Sequence, residues 1–221
     1  MARLTCCVAV ILFVGAPVLA DQYWIAYEGN DFPEKEGWTR RWVYKEAKRW
    51  LEDGTLVIDS RESIEIADWY RKDRTGELDP GPGETFVCQW RIRPDQVIGP
   101  WDPGVAVRSD GGWDVVFTFS VDTVYSTGEP GTKLTFAPGV FHEFELRSSD
   151  MRRYELWMDG ALGLTGLFRR GVGGGWLSWG DLTEGGAGLA RWDYMRFGVV
   201  VPEPNTGLLL TFCLASRRVW R

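Results

Sequence analysis

The chain has 221 residues, 44% of them hydrophobic, with 25 basic and 31 acidic side chains and a net charge of −6. That length suits one or two domains, and the acidity excludes the basic footprint of a nucleic-acid binder. Four cysteines are too few for a disulfide-dense scaffold, and 13 Trp, 11 Phe, 7 Tyr and 27 Gly do not describe a solvated, disordered chain.

Residues 1–20 read as a secretory signal peptide. Arg3 supplies the positive end, Cys6 to Val14 is a continuous apolar run, and Val18-Leu19-Ala20 places small residues before a cut between Ala20 and Asp21. The run is shorter than the ~20 residues of a membrane span. With both ends removed the body, residues 21–201, keeps Cys88 as its single thiol, so packing and not a disulfide must stabilise it.

Within the body, short segments alternate apolar and polar residues between Gly, Pro and Asp-Gly punctuation, the period-2 pattern of half-buried strands. In chain order the expected strands are 55–59, 63–70, 86–93, 105–109, 113–120, 123–126, 133–136, 142–147, 154–158, 161–168, 176–179 and 192–201. Residues 42–51 are open between a helix, with Tyr44 to Lys48 as its two turns, and a non-helical stretch. Asp159-Gly160 is the strongest hairpin signal, Asp53-Gly54 and Asp110-Gly111-Gly112 are similar, and Leu78 to Glu84 must be a loop. Many short strands with regular turns predict an all-β, two-sheet antiparallel sandwich or jelly roll.

The C-terminal segment 202–221 has three parts: Pro202-Glu203-Pro204, an apolar stretch Gly207 to Ala215, and Arg217, Arg218 and Arg221. The prolines hold such a tag off the domain, and the arginines favour the cytoplasmic side. This resembles the PEP-CTERM sorting signal of Gram-negative bacteria. The resemblance implies an exosortase-type membrane enzyme as partner, transient inner-membrane anchoring, and a destination at the cell envelope, cell surface or extracellular matrix. The apolar stretch is shorter than a spanning helix.

A second resemblance lies in the body. Phe141-His142-Glu143-Phe144-Glu145-Leu146 followed by Tyr154-Glu155-Leu156-Trp157-Met158-Asp159-Gly160 is similar to a strand pair of laminin-G-like and concanavalin A-like lectin/glucanase domains. Trp192 to Phe197 resembles their closing strand, and Tyr27 to Phe32 with Gly37-Trp38 their opening. The resemblance implies a jelly roll of two curved antiparallel sheets. It leaves function open, because such folds host lectins, hydrolases and adhesive modules.

Laminarinase-type members of that fold carry Glu-x-Asp-x-Glu or Glu-x-Asp-x-x-Glu on one strand. No such motif is present here. Glu143 and Glu145 share a face, about 6.8 Å apart by strand rise, but Phe144 stands between them and the intervening Asp is lacking. No catalytic residue is therefore expected. The single histidine, His142, is expected as a hydrogen-bonded core or edge residue, and Cys88 as a core thiol. No metal cluster or phosphate loop is evident; calcium is conceivable at Asp31, Asp110, Asp114 or Asp181, with no ligand spacing to single any of them out.

Tryptophan is the remaining lead. Trp90 and Trp113 fall on core faces. Trp157 alternates with Leu156 and Met158 and shares its side with Glu155, and with Glu143, Glu145 and Arg147 of the preceding strand. An aromatic ring among carboxylates and a guanidinium suits a sugar; the alternative is that Trp157 packs beneath the Gly171–Gly175 loop or a neighbouring strand. Trp176 and Trp179 follow that loop and are expected to rim the same groove. The sequence thus predicts an exported, non-catalytic jelly-roll module that binds extracellular polysaccharide or serves as a structural surface protein, with a polysaccharide hydrolase as the rival.

Overall fold

Two Asp-Gly pairs set the tightest corners of the structure. At Asp53-Gly54 φ is 52° and 74°, and at Asp159-Gly160 it is 49° and 78°. Positive φ at both central residues defines the type I′ turn, whose twist matches that of the strands it joins. The computed structural model describes residues 25–99, 103–129 and 131–201. The expected cut at Ala20/Asp21 and the expected tag with Pro202, Glu203, Pro204, Arg217 and Arg218 lie outside the described residues.

Among the described residues, 16 strands form two eight-stranded antiparallel sheets. The first runs, neighbour by neighbour, β13 (Ala161–Leu167), β12 (Arg153–Met158), β11 (His142–Ser148), β6 (Thr85–Ile98), β16 (Ala187–Val200), β4 (Thr55–Asp59) and β3 (Lys48–Glu52), with β1 (Ile25–Tyr27) on the rest of β16. The second runs β10 (Lys133–Thr135), β9 (Thr123–Ser126), β8 (Trp113–Phe119), β7 (Gly104–Arg108), β15 (Trp176–Asp181), β5 (Ala67–Asp73) and β2 (Thr39–Val43), with β14 (Arg169–Arg170) on β8. The fold is the expected jelly-roll sandwich.

Alternation decides what the sandwich buries. β11 alternates buried and half-buried residues along its whole length, and β6 sends Phe86, Cys88, Trp90 and Ile92 inward. The inner faces meet through aromatic rings. Trp90 lies 6.0 Å from Phe117 and 6.4 Å from Phe119 of the second sheet, and Trp179 lies 5.0 Å from Trp192 of the first. Each such side chain contributes on the order of 1.5–3 kcal/mol by leaving water. Cys88 is a core thiol, with Sγ 3.7 Å from Met195 Sδ, and burial pushes its ionisation well up.

Some boundaries differ from the sequence expectation. Residues 42–51 are not helical: they end β2, turn, and form β3. The strand expected from Ser63 begins at Ala67, because Ser63 N–H donates to Ser60 O and Ile66 N–H to Ser63 O in successive turns. The closing strand starts at Ala187 and not at Trp192, extended by its pairing with β6. Trp113, expected in the core, is half-buried at the margin, where Arg152 and Arg170 cover its ring at 5.4 and 5.6 Å.

Candidate functional site

The outer face of the first sheet carries the residues singled out by parity. Register aligns Trp157 of β12, Glu145 of β11, Gln89 of β6 and Arg196 of β16 in one row. Glu143, Arg91 and Tyr194 form the next. Gln89 Nε2 donates to Glu143 Oε1 at 3.0 Å and to Glu145 Oε2 at 3.3 Å, so one amide nitrogen reaches both carboxylates. Tyr194 Oη donates to Glu143, and Arg147 Nε donates to Glu145. The Arg147 guanidinium lies over the Trp157 ring at 4.6 Å, while Trp157 Nε1 donates to Glu155 Oε2 at 3.0 Å. The chain of contacts continues through Arg196, 4.3 Å over the Tyr194 ring and bound through two nitrogens to Glu28.

Tyr194 enters this face because of a bulge. The β16 register slips between Trp192 and Tyr194. Strict alternation would send Tyr194 inward with Trp192; the extra residue, Asp193, turns it outward and leaves Met195 in the core. Burial first, then the hydrogen bond to the Glu143 carboxylate, push the Tyr194 phenol well up, so it remains a donor. Asp193 itself pairs with Arg91. Gln89 was legible in the sequence as an outward residue of its strand; Tyr194 was not.

His142 sits beneath the same hairpin. Its Nδ1 lies 2.7 Å from Asp159 Oδ2 and its Nε2 2.9 Å from Ala137 O. Asp159 also accepts from Glu143 N–H at 3.0 Å. The histidine is thus the hydrogen-bonded, buried residue expected, and it braces the turn next to Trp157.

One hollow lies at Trp157 and a second lies beyond its neighbours Arg147 and Glu155. A recess of about 30 Å³, room for one or two waters, is lined by Glu143, Glu145, Arg147, Trp157 and Gly160. An open depression of about 650 Å³ lies on the other side of Arg147, against Thr85, Ser149, Arg153, Glu155 and Thr165. That volume is within the range of small-ligand sites.

Two of the expected aromatic residues do not belong to this face. Trp179 has no exposed surface; it packs in the core against Tyr27, Tyr70 and Trp192, because β15 alternation turns Leu177 and Trp179 inward. Trp176 faces outward, but from the second sheet, where Arg71 and Arg108 hold its ring at 4.8 and 4.7 Å. Neither rims a groove with Trp157. The Gly171–Gly175 loop also belongs to the second sheet, through Gly171 N–H to Gly112 O, and Arg147 takes the place over the Trp157 ring.

The four aspartates considered for calcium are separately engaged. Asp31 accepts from Lys35 at 2.7 Å, Asp110 from the N–H groups of Gly76 and Leu78, and Asp114 from Arg108 at 2.6 Å, while Asp181 is buried in β15. Among the described residues no group of three or more His, Cys, Asp or Glu is placed to hold a metal.

Solved structures similar to this chain were found. An endo-1,3-beta-glucanase from Streptomyces sioyaensis matches 70% of this chain and 79% of its own at 14% identity and a TM-score of 0.50. A glycosyl hydrolase family protein from Mycobacterium fortuitum matches 80% and 99% at 16% identity, also at 0.50. A sialidase matches 82% of this chain and 19% of its own at 10% identity and 0.52. The likeness is one of fold. No protein-family model matches the chain, and no curated protein matches it significantly.

Proposed function

We propose that the protein is an exported, non-catalytic module that binds extracellular polysaccharide at the cell envelope or matrix. In this reading residues 1–20 direct export, and the tag containing Pro202-Glu203-Pro204, Arg217 and Arg218 is handed to an exosortase-type membrane enzyme. The fold is consistent with the polysaccharide part of this reading alone, since similar structures are named as a glucanase and a glycosyl hydrolase family protein.

The observation that carries the proposal is the arrangement at Trp157. Its indole N–H is fixed by Glu155 and Arg147 lies over its ring, and these two neighbours of the ring also line the 650 Å³ depression. An amphipathic ring flanked by a carboxylate and a guanidinium offers a sugar both a stacking surface and hydrogen-bonding partners. Against catalysis stands the spacing on β11. Glu143, Glu145 and Arg147 occupy alternate positions of one face, so a guanidinium stands where Glu-x-Asp-x-Glu has its last carboxylate.

A second reading, hydrolysis, is favoured by one contact: the Gln89 amide draws the two glutamates together. A glycan array followed by titration of the best ligand separates the two. Trp157→Ala is expected to weaken binding roughly 5- to 150-fold, the equivalent of about 1–3 kcal/mol, with little change in melting temperature. Hydrolysis of a polysaccharide that vanishes in Glu143→Gln or Glu145→Gln makes the second reading correct. No binding to any glycan, together with a large loss of stability in Trp157→Ala, makes Trp157 a packing residue.

A further inference from the structure

Where β2 leaves the second sheet and the chain crosses to β3 of the first, two local rules are broken at one place. Trp42, Val43 and Tyr44 are three consecutive apolar side chains at 50%, 38% and 68% exposure. A run of exposed apolar residues opposes folding and solubility unless it serves a function. Tyr44 also has φ of +66°, and Lys45 N–H donates to Val43 O at 2.9 Å. This is the γ-turn with positive central φ, rare and strained for a bulky residue that glycine would relieve.

The turn is held from below. Arg40 and Asp68, both buried, pair through two nitrogens and both carboxylate oxygens. Asp68 Oδ2 also accepts from Ala47 N–H at 2.7 Å, and Arg40 Nη2 donates to Ala47 O at 3.2 Å. The chain on both sides of Tyr44 is therefore clamped, which is how a strained conformation persists at a site where strain is useful.

Charge says what the exposed residues meet. Segment 39–49 holds Arg40, Arg41, Lys45, Lys48 and Arg49 in a chain of net charge −6; Arg40 pairs with Asp68 and Glu46, Arg49 with Glu34, and Lys45 with Glu62 at 2.6 Å. Arg41 is exposed and forms no ion pair among the described residues, and Lys48 is 71% exposed, 4.0 Å from Glu62. We infer that this knob docks on an anionic membrane surface, with Trp42, Val43 and Tyr44 entering the interface and Arg41 and Lys48 reaching the headgroups.

Trp42 and Val43, consecutive in β2, point to opposite sides, yet both are exposed, as is Tyr44 in the turn that follows. A sugar ring would stack on one side alone, whereas a soft interface surrounds both. Trp and Tyr favour the headgroup level, and lysine and arginine stems extend past them to lipid phosphates. The site is distinct from the Trp157 face: β3 and β2 are one edge of the two sheets, and β12 lies next to the opposite edge.

The test is hydrogen exchange on the full chain, with vesicles of phosphatidylcholine alone or with phosphatidylglycerol added. This local readout separates the knob from any vesicle contact of the chain ends. Slower exchange across residues 41–47 is expected with the anionic vesicles only, and reversed by high salt. Tyr44→Gly relieves the strain, so it should melt no lower than the parent while losing that protection and binding roughly tenfold more weakly. Arg41→Ala should weaken binding about fivefold. Unchanged exchange at 41–47 in the presence of anionic vesicles overturns the inference, as does full protection in Tyr44→Gly. Protection by soluble polygalacturonate and none by vesicles overturns it too, and reassigns the knob to an acidic glycan.

Discussion

Trp157 and Trp42 are both tryptophans of strands at or next to a sheet edge, and their surroundings differ. Around Trp157 the polar groups are mutually engaged: Arg147 over the ring, Glu155 on the indole N–H, Gln89 between two glutamates, Tyr194 on Glu143. Around Trp42 one guanidinium, that of Arg40, lies 5.9 Å from the ring, Val43 and Tyr44 stand in solvent, and the order lies beneath them in the Arg40–Asp68–Ala47 clamp. The first surface is preorganised in its side chains, the second in its backbone. An aromatic residue's availability is set by what its cross-strand neighbours do, not by exposure of the strand alone.

Alkaline titration probes both regions and carries the largest expected effect. Burial raises the phenols of Tyr27 and Tyr194 strongly, and that of Tyr70 to about 12. Tyr70 accepts from Arg49 of β3 beside the clamp, and Tyr194 belongs to the Trp157 face. A folded pKa above the unfolded value of about 10 stabilises fully below that pH and is lost as pH rises through the folded value. Stability should fall between about pH 10 and 12 by about 1.4 kcal/mol per pH unit for each of Tyr27 and Tyr70, and by less for the more exposed Tyr194. Phenolate absorbance should appear for these residues only with unfolding; early ionisation of the buried set would show the faces to be looser than described.

Asp68→Ala tests the clamp. It takes from the Arg40 guanidinium its buried partner, leaving Glu46 and Ala47 O, and it leaves Ala47 N–H without an acceptor, which costs about 2–3 kcal/mol, read as a lower urea midpoint and melting temperature. A loss below about 1 kcal/mol would mean that the clamp does not hold the strained turn.

The two Asp-Gly hairpins offer a paired comparison. Asp159→Gly keeps the turn but removes the acceptor for His142 and for Glu143 N–H, at about 1–3 kcal/mol. Asp53→Gly, on the identical dipeptide with no side-chain partner among the described residues, should change stability by less than about 0.5 kcal/mol. Equal losses would assign the effect to the turn and not to the histidine brace.

The smallest effect belongs to Arg147→Met. It uncovers one face of Trp157 and should cost about 0.5–1 kcal/mol, while making indole fluorescence more accessible to a soluble quencher. No change in quenching would mean that the guanidinium does not shield the ring.

The sequence by itself determined the architecture. Phe86 to Ile92, His142 to Leu146 and Tyr154 to Leu156 declare their buried faces through a two-residue period, and Asp159-Gly160 and Asp53-Gly54 declare their turns through the backbone they tolerate. Both signals are local, so they need no knowledge of partners. They also brought Glu143, Glu145, Arg147 and Trp157 to one face, since parity and one hairpin suffice for that.

Only the tertiary structure decided the rest. Trp176 and Trp179 sit three residues apart after one loop, yet one is clamped on an outer face of the second sheet and the other has no exposed surface. Tyr194 reached the Trp157 face through a bulge, a one-residue slip that reverses parity and leaves no mark in composition. By sequence, residues 42–51 are open between a helix and a non-helical stretch, and in the fold Asp68, more than twenty positions away, ties Arg40 and Ala47 together. Register, bulges and buried ion pairs are set by contacts distant in sequence, and those contacts separate an aromatic residue that packs from one that stands free.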